Sequence, residues 1–290
     1  MKAALFYFTG SYNTLKVAEH YKKAIEDNGS SADLLPIESY LEQEKVDVSN
    51  YDRFGLFYPI HGFSAPKIVR RFAKKLVSNN KTPYFVAMVS GEPINLNHCS
   101  DNALKRTLKK NFHFESEFHY VMGYNMIFRH TEEKAYKMYD AMEKIVPLDV
   151  KEYMFEGKDF KLKKPFLGPV AVGIIKIQFL FYPTNGKLFH VNQEKCVQCM
   201  KCVNNCPVHN IEFKDGKFTF HNHCMMCTRC SFNCPANAIS IGVLNAWKVN
   251  KPYAYKAGMP EEKDKHKHYC KKAYQRYFET IDKRLKEAEK

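Results

Sequence analysis

Residues 196–206 read CVQCMKCVNNC, residues 224–234 read CMMCTRCSFNC, and a proline follows each run. The two runs repeat one spacing, C-x2-C-x2-C-x3-C-P, and hold eight of the ten cysteines in the chain. The N-terminal residues have too short an apolar stretch, and no small-residue cleavage site, for a secretory signal. We therefore expect a thiol-reducing cytoplasm, where paired cysteines favour metal or redox chemistry over disulfides.

The repeated spacing is that of the bacterial iron–sulfur run, in which the fourth cysteine ligates the other cluster. A tight loop wraps three thiolates around one face of a cluster, and the fourth thiolate, beyond the loop, points to the neighbouring one. We therefore expect two 4Fe–4S clusters. The expected ligands of the first cluster are Cys196, Cys199, Cys202 and Cys234. The expected ligands of the second cluster are Cys224, Cys227, Cys230 and Cys206.

A pair of zinc sites is the alternative for these cysteines. Zinc pairs usually use two cysteines, a long gap, and then two more cysteines or histidines. Four cysteines within eleven residues would crowd a single tetrahedral ion, so the clusters are favoured. The nearby His209, His221 and His223 are predicted to be solvated at the surface rather than to bind metal.

Residues 188–243 resemble a bacterial two-cluster ferredoxin. Between the two cysteine runs, IEFKDGKFTF at 211–220 predicts a short hairpin that turns at Asp215 and Gly216. The AISIG stretch at 238–242 predicts a final short strand. The doubled motif then indicates a relay of two clusters whose loops exchange their fourth ligands.

The first half of the chain alternates strand and helix patterns. Apolar runs of strand length lie at 2–8, 32–37, 53–59, 83–90 and 117–125. A helix follows the first run, and further helices are expected over about 65–78 and 101–112. Five strands alternating with helices predict an α/β fold, a doubly wound parallel sheet with helices on both faces. Ligands of such sheets bind at the carboxyl ends of the strands.

Three loops follow those strand ends, at 9–14, 59–66 and 90–98. The first offers the hydroxyls of Thr9, Ser11 and Thr14 and the amide of Asn13 at a helix N-terminus. Free backbone N–H groups and the helix dipole favour a phosphate there. Ordinary N-capping is the alternative, since Ser and Thr favour that position in any helix.

The first loop resembles the flavodoxin phosphate loop, S/T-x-T-G-N-T, with Tyr12 standing where that family has glycine. The second loop, YPIHGFSAP at 58–66 and including Pro59, resembles the second flavin loop of flavodoxin–ferredoxin fusions. This resemblance implies that His61 and Phe63 lie near the isoalloxazine ring. Gly62 would allow a peptide flip towards the flavin N5, because glycine tolerates both signs of φ.

In the third loop, the resemblance implies that Ser90 and Gly91 offer backbone donors to the pyrimidine edge of the flavin. Together these features resemble the flavodoxin-fused ferredoxin family over nearly all of 1–245. FMN is expected rather than FAD, because no G-x-G-x-x-G fingerprint opens the first helix. The expected organisation is a flavodoxin-like FMN domain, an apolar connector, a ferredoxin domain and a charged helical tail, over 1–155, 156–187, 188–245 and 246–290.

The connector contains the most apolar stretch, FLGPVAVGIIKIQFLFYP at 166–183. A membrane span needs about 20 apolar residues, and this stretch is interrupted by a lysine, a glutamine, glycines and prolines. We expect a helix that packs the two domains together through Val172, Ile175, Phe179 and Tyr182. Contact with a membrane surface is the lesser alternative, although the flanking KLKK would help it. A stripe in the tail is expected to dock on the body through Tyr274, Tyr277, Phe278, Ile281 and Leu285.

The formal net charge is +14, for which nucleic acid is one obvious partner. Two thiolate-ligated clusters and one phosphate would remove roughly six units. No nucleic-acid module is evident, so an acidic redox protein is the expected partner. Cys99 and Cys270 are expected to be structural thiols.

The sequence predicts a cytoplasmic electron-transfer flavoprotein, because clusters move single electrons whereas a flavin takes one or two. The alternative is a reductase in which a small organic substrate stacks on the flavin, with His61 or Tyr124 as the proton donor. No acid–base pair has a convincing spacing, so no catalytic residue is assigned.

Overall fold

The computed structural model describes residues 1–260 and 262–290. A five-stranded sheet forms the N-terminal domain, and all its neighbouring strands are parallel. Its strands are β1 Lys2–Tyr7, β2 Ser31–Pro36, β3 Arg53–Pro59, β4 Pro83–Ser90 and β5 His113–Val121. Their spatial order is β2-β1-β3-β4-β5, which is the flavodoxin-like doubly wound order. The predicted parallel sheet is thus confirmed.

Helices cover both faces of this sheet. They are α1 Asn13–Asp27, α2 Lys67–Ala73, α3 Asn102–Leu108 and α4 Glu132–Val150. Apolar residues of α1 and α4 pack on one face, and those of α2 and α3 pack on the other. Short 3-10 turns lie at Ile37–Tyr40 and Asn95–Asp101, and a π turn at Lys151–Phe155 ends α4.

Two predicted helices are shorter in the structure than expected. The helix expected to about residue 78 ends at Ala73, because Leu76–Val77 pairs in parallel with Val46–Asp47 instead. The helix expected over 101–112 covers only Asn102–Leu108, because the backbone N–H of Phe112 caps the carbonyl of Leu108 and the chain then enters β5. Strand pairing thus replaces the end of the first predicted helix, and a turn replaces the end of the second.

The connector folds as α5 Gly168–Ile175, a 3-10 turn Lys176–Leu180, and α6 Tyr182–Lys187. Val172 is buried, and Ile175, Phe179 and Tyr182 are half-buried, so the predicted inner stripe faces the protein. The opposite stripe is exposed. Among the helices that the structure describes, none combines the length and the apolar character needed to span a bilayer.

The cysteine-rich region is a small α+β domain. Its elements are β6 Phe189–Val191, α7 Lys201–Asn204, β7 Ile211–Lys214, β8 Lys217–Phe220, α8 Arg229–Phe232 and β9 Ile239–Ile241. The predicted hairpin is confirmed, because β7 and β8 pair antiparallel around Asp215 and Gly216, both with positive φ. The predicted final strand, β9, pairs antiparallel with β6. A 3-10 turn, Gly242–Trp247, follows β9.

The chain then returns to the first domain and ends in α9 Lys271–Ala288. Tyr274 and Ile281 of this helix are buried, and Arg284 Nη1 lies 2.6 Å from Asp149 Oδ1 of α4. The Tyr277 hydroxyl accepts a hydrogen bond from the backbone N–H of Val121, at 3.1 Å. The tail therefore docks through the stripe that the sequence predicted.

Candidate functional site: two cysteine loops and a phosphate loop

The two cysteine runs fold as two copies of one loop, which we call the outer loop (196–206) and the inner loop (224–234). Gln198 and Met226 occupy equivalent positions, and both have positive φ, 48° and 55°. Each donates its backbone N–H to the first cysteine Sγ of its loop, at 3.4 Å in both cases. The repeated spacing therefore produces a repeated backbone.

The fourth cysteine of each run also accepts an amide hydrogen bond. The Asn210 N–H lies 3.2 Å from Cys206 Sγ, and the Ala238 N–H lies 3.3 Å from Cys234 Sγ. Amide donors at sulfur stabilise thiolates and tune the potential of any cluster bound to them. The donor set thus fits an anionic iron–sulfur cluster at both loops.

Each loop borders a small cavity lined by cysteines of both runs. One cavity is lined by Cys196, Cys199, Cys202, Cys230 and Cys234. The other is lined by Cys206, Cys224, Cys227 and Cys230. The fourth cysteine of each run therefore lies beside the first three of the other run. Within the described residues, no three His, Cys, Asp or Glu side chains converge as a single-ion site would require.

The two groups of cysteines differ in burial. We call Cys196, Cys199, Cys202 and Cys234 the outer set, and Cys206, Cys224, Cys227 and Cys230 the inner set. Cys199 is exposed to solvent. In the inner set, burial raises the pKa of Cys224 to about 12 and raises that of Cys230 well above its usual value. A bound cluster would offset this cost of ionising buried thiols.

The inner loop packs directly on the first strand-end loop, residues 9–14. A Cβ built on Gly10 would lie 2.6 Å from the carbonyl oxygen of Cys227, so this close approach requires glycine. Arg229 donates from Nε to the Thr9 carbonyl at 3.0 Å, and its guanidinium also pairs with Glu38. Nδ2 of Asn233 donates to the Gly10 carbonyl at 3.3 Å.

The first loop keeps the conformation that glycine would favour. Tyr12 has φ of 65° and is 41% exposed, so its side chain leaves the loop instead of filling it. Thr9 Oγ1 is buried and has no hydrogen-bond partner, and α1 begins without a side-chain cap. Free donors at a helix N-terminus fit a phosphate group. Ser11 and Thr14 are also buried in this loop.

Asn13 has a different role from the one expected. Its Nδ2 donates to the Gly123 carbonyl at 2.8 Å, and its Oδ1 accepts from the Tyr255 hydroxyl at 2.7 Å. Because both ends of the amide are engaged, its side chain fixes the loop against β5 and the tail. Only the backbone N–H of Asn13 could therefore make the contact with a phosphate that was expected of this residue.

The second loop turns sharply at the end of β3, where Pro59 is the last residue. His61 and Ser64 exchange two backbone hydrogen bonds of 2.9 Å, and Gly62 and Phe63 have positive φ, 49° and 58°. Gln178 and Phe179 of the connector lie against Gly62. Burial lowers the pKa of His61 to about 4, so its imidazole is neutral at pH 7.

The third loop is held by partners within the protein. Ser90 Oγ donates to the Glu92 carbonyl at 2.7 Å and lies 2.8 Å from His119 Nε2. The ring of Tyr124 covers Gly91, whose carbonyl accepts from Tyr274. The flavin contact expected of Ser90 and Gly91 is through their backbone N–H groups, and it stays a prediction.

A cavity of about 570 Å³ separates the second loop from the inner set. It is bordered by His61, by the connector at Phe179, and by Cys206 and Cys224. Arg70 also lines this cavity, and its Nε is buried with no hydrogen-bond partner. Further basic side chains on the wall are Lys67, Arg71 and Arg229.

The residues that join the first loop to the inner loop and to the tail could not be identified from the sequence. Arg229, Asn233 and Tyr255 contact the first loop from more than 200 residues away in the chain. No periodicity or motif reports such a contact. The single available signal was the positive charge at Arg229, inside a loop of otherwise neutral residues between cysteines.

Comparison with known proteins gives one family match. Residues 188–211 match the family described as a 4Fe-4S binding domain. No curated protein matches the chain.

Solved structures resemble the N-terminal part of the chain. The flavodoxin of Megasphaera elsdenii, in its two-electron reduced form, is 16% identical, with 40% of this chain and 84% of that chain covered and a TM-score of 0.33. General stress protein 14 of Treponema denticola, in complex with FMN, is 15% identical, with coverage of 53% and 95% and a TM-score of 0.34. An FMN-dependent NADH-azoreductase of Bacillus anthracis is 11% identical, with coverage of 52% and 98% and a TM-score of 0.36.

The sheet order and the family match agree with the organisation that the sequence indicated. The N-terminal domain has the parallel order β2-β1-β3-β4-β5, and the C-terminal region carries the 4Fe–4S match. The chain therefore joins a flavodoxin-like domain to a 4Fe–4S ferredoxin domain.

Proposed function

We propose that this protein transfers electrons between a redox partner and FMN through two 4Fe–4S clusters. One observation carries the proposal: the inner loop lies directly on the first loop, with the Cys227 carbonyl against Gly10 and Arg229 bonded to Thr9. Electron transfer requires its centres to be close, and this contact joins the candidate sites of the two domains directly.

The chain's own residues supply the binding groups. The outer and inner sets would each hold one cluster, and the first loop would hold the FMN phosphate through Thr9, Ser11, Thr14 and its free backbone N–H groups. When bound, clusters supply one-electron transfer and a flavin supplies one- or two-electron transfer. Amide donors at Cys196, Cys206, Cys224 and Cys234 favour the thiolate state of both sets.

The difference in burial between the two sets supports an order of electron transfer, from the partner to the outer cluster, then to the inner cluster and to FMN. The outer set includes the exposed Cys199, so a partner can approach it, whereas the inner set faces the first loop. Lys195 and Lys201 are exposed beside the outer set and suit an acidic redox protein. Lys248 is less available, because its Nζ donates to the Ile239 carbonyl at 2.9 Å. We place this function in the cytoplasm and assign it no nucleic-acid partner.

Reduction of a small molecule is the second candidate, favoured by the cavity beside His61. Its wall has four Lys and Arg side chains against two carboxylates, Glu38 and Glu42, and this excess of positive charge suits an anionic organic substrate of drug-like size. The two residues considered as proton donors argue against this function. Burial keeps His61 neutral at pH 7, and burial next to Glu92 raises the pKa of Tyr124 far above its usual value.

The function is tested with protein reconstituted anaerobically with iron, sulfide and FMN. We expect about eight iron atoms and one FMN per chain, and flavin reduction when a reduced acidic ferredoxin is added. Turnover with artificial dyes but without a small-molecule acceptor supports the carrier. Absence of flavin binding, with both clusters present, contradicts the proposal.

The first loop is tested by Thr14→Val, which removes one buried hydroxyl from the expected phosphate site. A hydrogen bond to a charged group contributes roughly 1.5–3 kcal/mol, so FMN affinity should fall about tenfold or more. The matched control is Thr107→Val, because Thr107 is exposed on α3. Fluorescence titration of FMN measures both, and unchanged affinity in Thr14→Val would refute this phosphate site.

A further inference from the structure

The outer side of the connector exposes a continuous apolar surface. Its large side chains are between 51% and 97% exposed. We call these residues the connector face: Phe166, Leu167, Val170, Ile174, Ile177, Leu180, Phe181 and Leu188. Leu167, Val170, Ile174, Ile177 and Phe181 recur every three or four residues, so they form one stripe along the helical segment. Isolated exposed apolar residues are ordinary, whereas a contiguous patch marks an interaction site.

A neighbouring turn extends this surface. Val243 and Trp247, in the 3-10 turn after β9, are 76% and 51% exposed. The turn is tied to the connector, because the Val243 N–H donates to Asn185 Oδ1 of α6 at 2.9 Å. The patch thus includes exposed phenylalanine and tryptophan rings, which favour the interface between water and a lipid bilayer.

The charge around the connector face indicates its occupant. No aspartate or glutamate lies between Asp159 and Glu194, whereas this stretch contains five lysines. Lys163 and Lys187 are exposed at its two ends, next to the apolar stripe in sequence. A helix with apolar and aromatic side chains flanked by lysines, and without acids, is typical of helices that lie in the plane of an anionic membrane surface.

We propose that the connector face binds the surface of a membrane that contains anionic lipids. The contact is peripheral: the exposed stripe enters the headgroup region while the inner stripe, with the buried Val172, stays on the protein. From the sequence alone, packing between the two domains was favoured over contact with a membrane. The pattern is apolar on both sides of the helix, so the sequence does not reveal which side the protein leaves open.

The test is flotation of the reconstituted full-length protein with vesicles. We use phosphatidylcholine alone and phosphatidylcholine with one quarter phosphatidylglycerol. The protein should float with the anionic vesicles and much less with the neutral ones. The chain has one tryptophan, so Trp247 fluorescence should shift to shorter wavelength on the anionic vesicles, reporting contact at the turn that adjoins the connector.

Two variants and a control separate apolar from electrostatic contact. Ile174→Gln/Ile177→Gln should lower vesicle affinity about tenfold or more, because burial of an isoleucine is lost at two sites. Lys163→Gln/Lys187→Gln should lower it roughly fivefold per lysine, on anionic vesicles only. The control Phe155→Gln removes an exposed apolar side chain outside the connector face and should bind as the unaltered protein does.

All the changed side chains are exposed, so iron content and circular dichroism should stay unchanged. Absence of flotation with both vesicle types overturns the proposal. Equal flotation of Ile174→Gln/Ile177→Gln and its control also overturns it. A protein that does not float, but whose dimer dissociates in the isoleucine variant, would show that a second copy covers this face instead.

Discussion

The outer and inner loops have the same spacing and the same backbone but different surroundings. Met200 of the outer loop and Thr228 of the inner loop both precede a short helix with positive φ, 53° and 55°. The outer loop leaves Cys199 exposed, whereas the inner loop is pressed on the first loop through Cys227 and Arg229. Local sequence therefore determines the shape of each loop, and the position in the fold determines what that loop contacts.

The largest expected effect tests the exchange of the fourth cysteine. Cys206→Ala should destroy the cluster of the inner loop and spare that of the outer loop, because Cys206 lies with Cys224, Cys227 and Cys230. Cys234→Ala should do the reverse. Iron counting and EPR of the separate variants measure this, with Cys270→Ala as the control. Loss of the Cys196 cluster in Cys206→Ala would contradict the exchange.

The next effect concerns two residues at equivalent positions of the loops, Arg229 and Lys201. Arg229 bonds to Thr9 and Glu38, whereas Lys201 is exposed. Arg229→Gln should lower the free energy of unfolding by about 1.5–3 kcal/mol for each charge-assisted hydrogen bond lost. Lys201→Gln should change it by no more than about 0.5 kcal/mol. Urea unfolding measures both variants, and equal effects would show that the inner loop is not anchored as described.

A smaller difference should appear in the stability of the two clusters. The outer set contains the exposed Cys199, so an iron chelator reaches its cluster more easily. We expect the EPR signal of the outer cluster to decay severalfold faster than that of the inner cluster. Equal decay rates, or faster loss of the inner cluster, would break the contrast between the loops.

The smallest effect concerns the lysines beside the outer set. Lys195→Gln/Lys201→Gln should slow electron transfer from a reduced acidic ferredoxin a few-fold at low ionic strength, because fields of opposite sign speed encounter. The difference should vanish at high salt. The control is Lys272→Gln/Lys283→Gln in α9, away from the cysteine loops. Stopped-flow absorbance measures the rates, and a rate that is independent of salt would leave these lysines as solubilising residues only.

The sequence predicted what local chemistry determines. The five strands, the turn at Asp215 and Gly216, and the docking stripe of the tail follow from periodicity and turn preferences. Contacts between distant segments could not be predicted. The link from Arg229 to Thr9 crosses 220 residues, and nothing in either loop specifies the other.

The sequence also did not show which side of the connector is buried. The connector is apolar on both sides, so its inner and outer stripes read alike until the structure separates them. Likewise, Asn13 has the residue type and the position that the phosphate motif requires. Its side chain, however, forms hydrogen bonds with Gly123 and Tyr255. A motif predicts which groups are present, whereas packing decides which of them are free.

The return of α9 to the first domain has a consequence for how the chain is made. Tyr274 and Ile281 complete packing around α4 that began with residues translated much earlier. On the ribosome, packing around α4 is therefore complete only after α9 has been translated. The ferredoxin domain, which contacts the first loop through Arg229, is translated during that interval. The packing of the N-terminal domain is thus completed only after the whole ferredoxin domain has been translated.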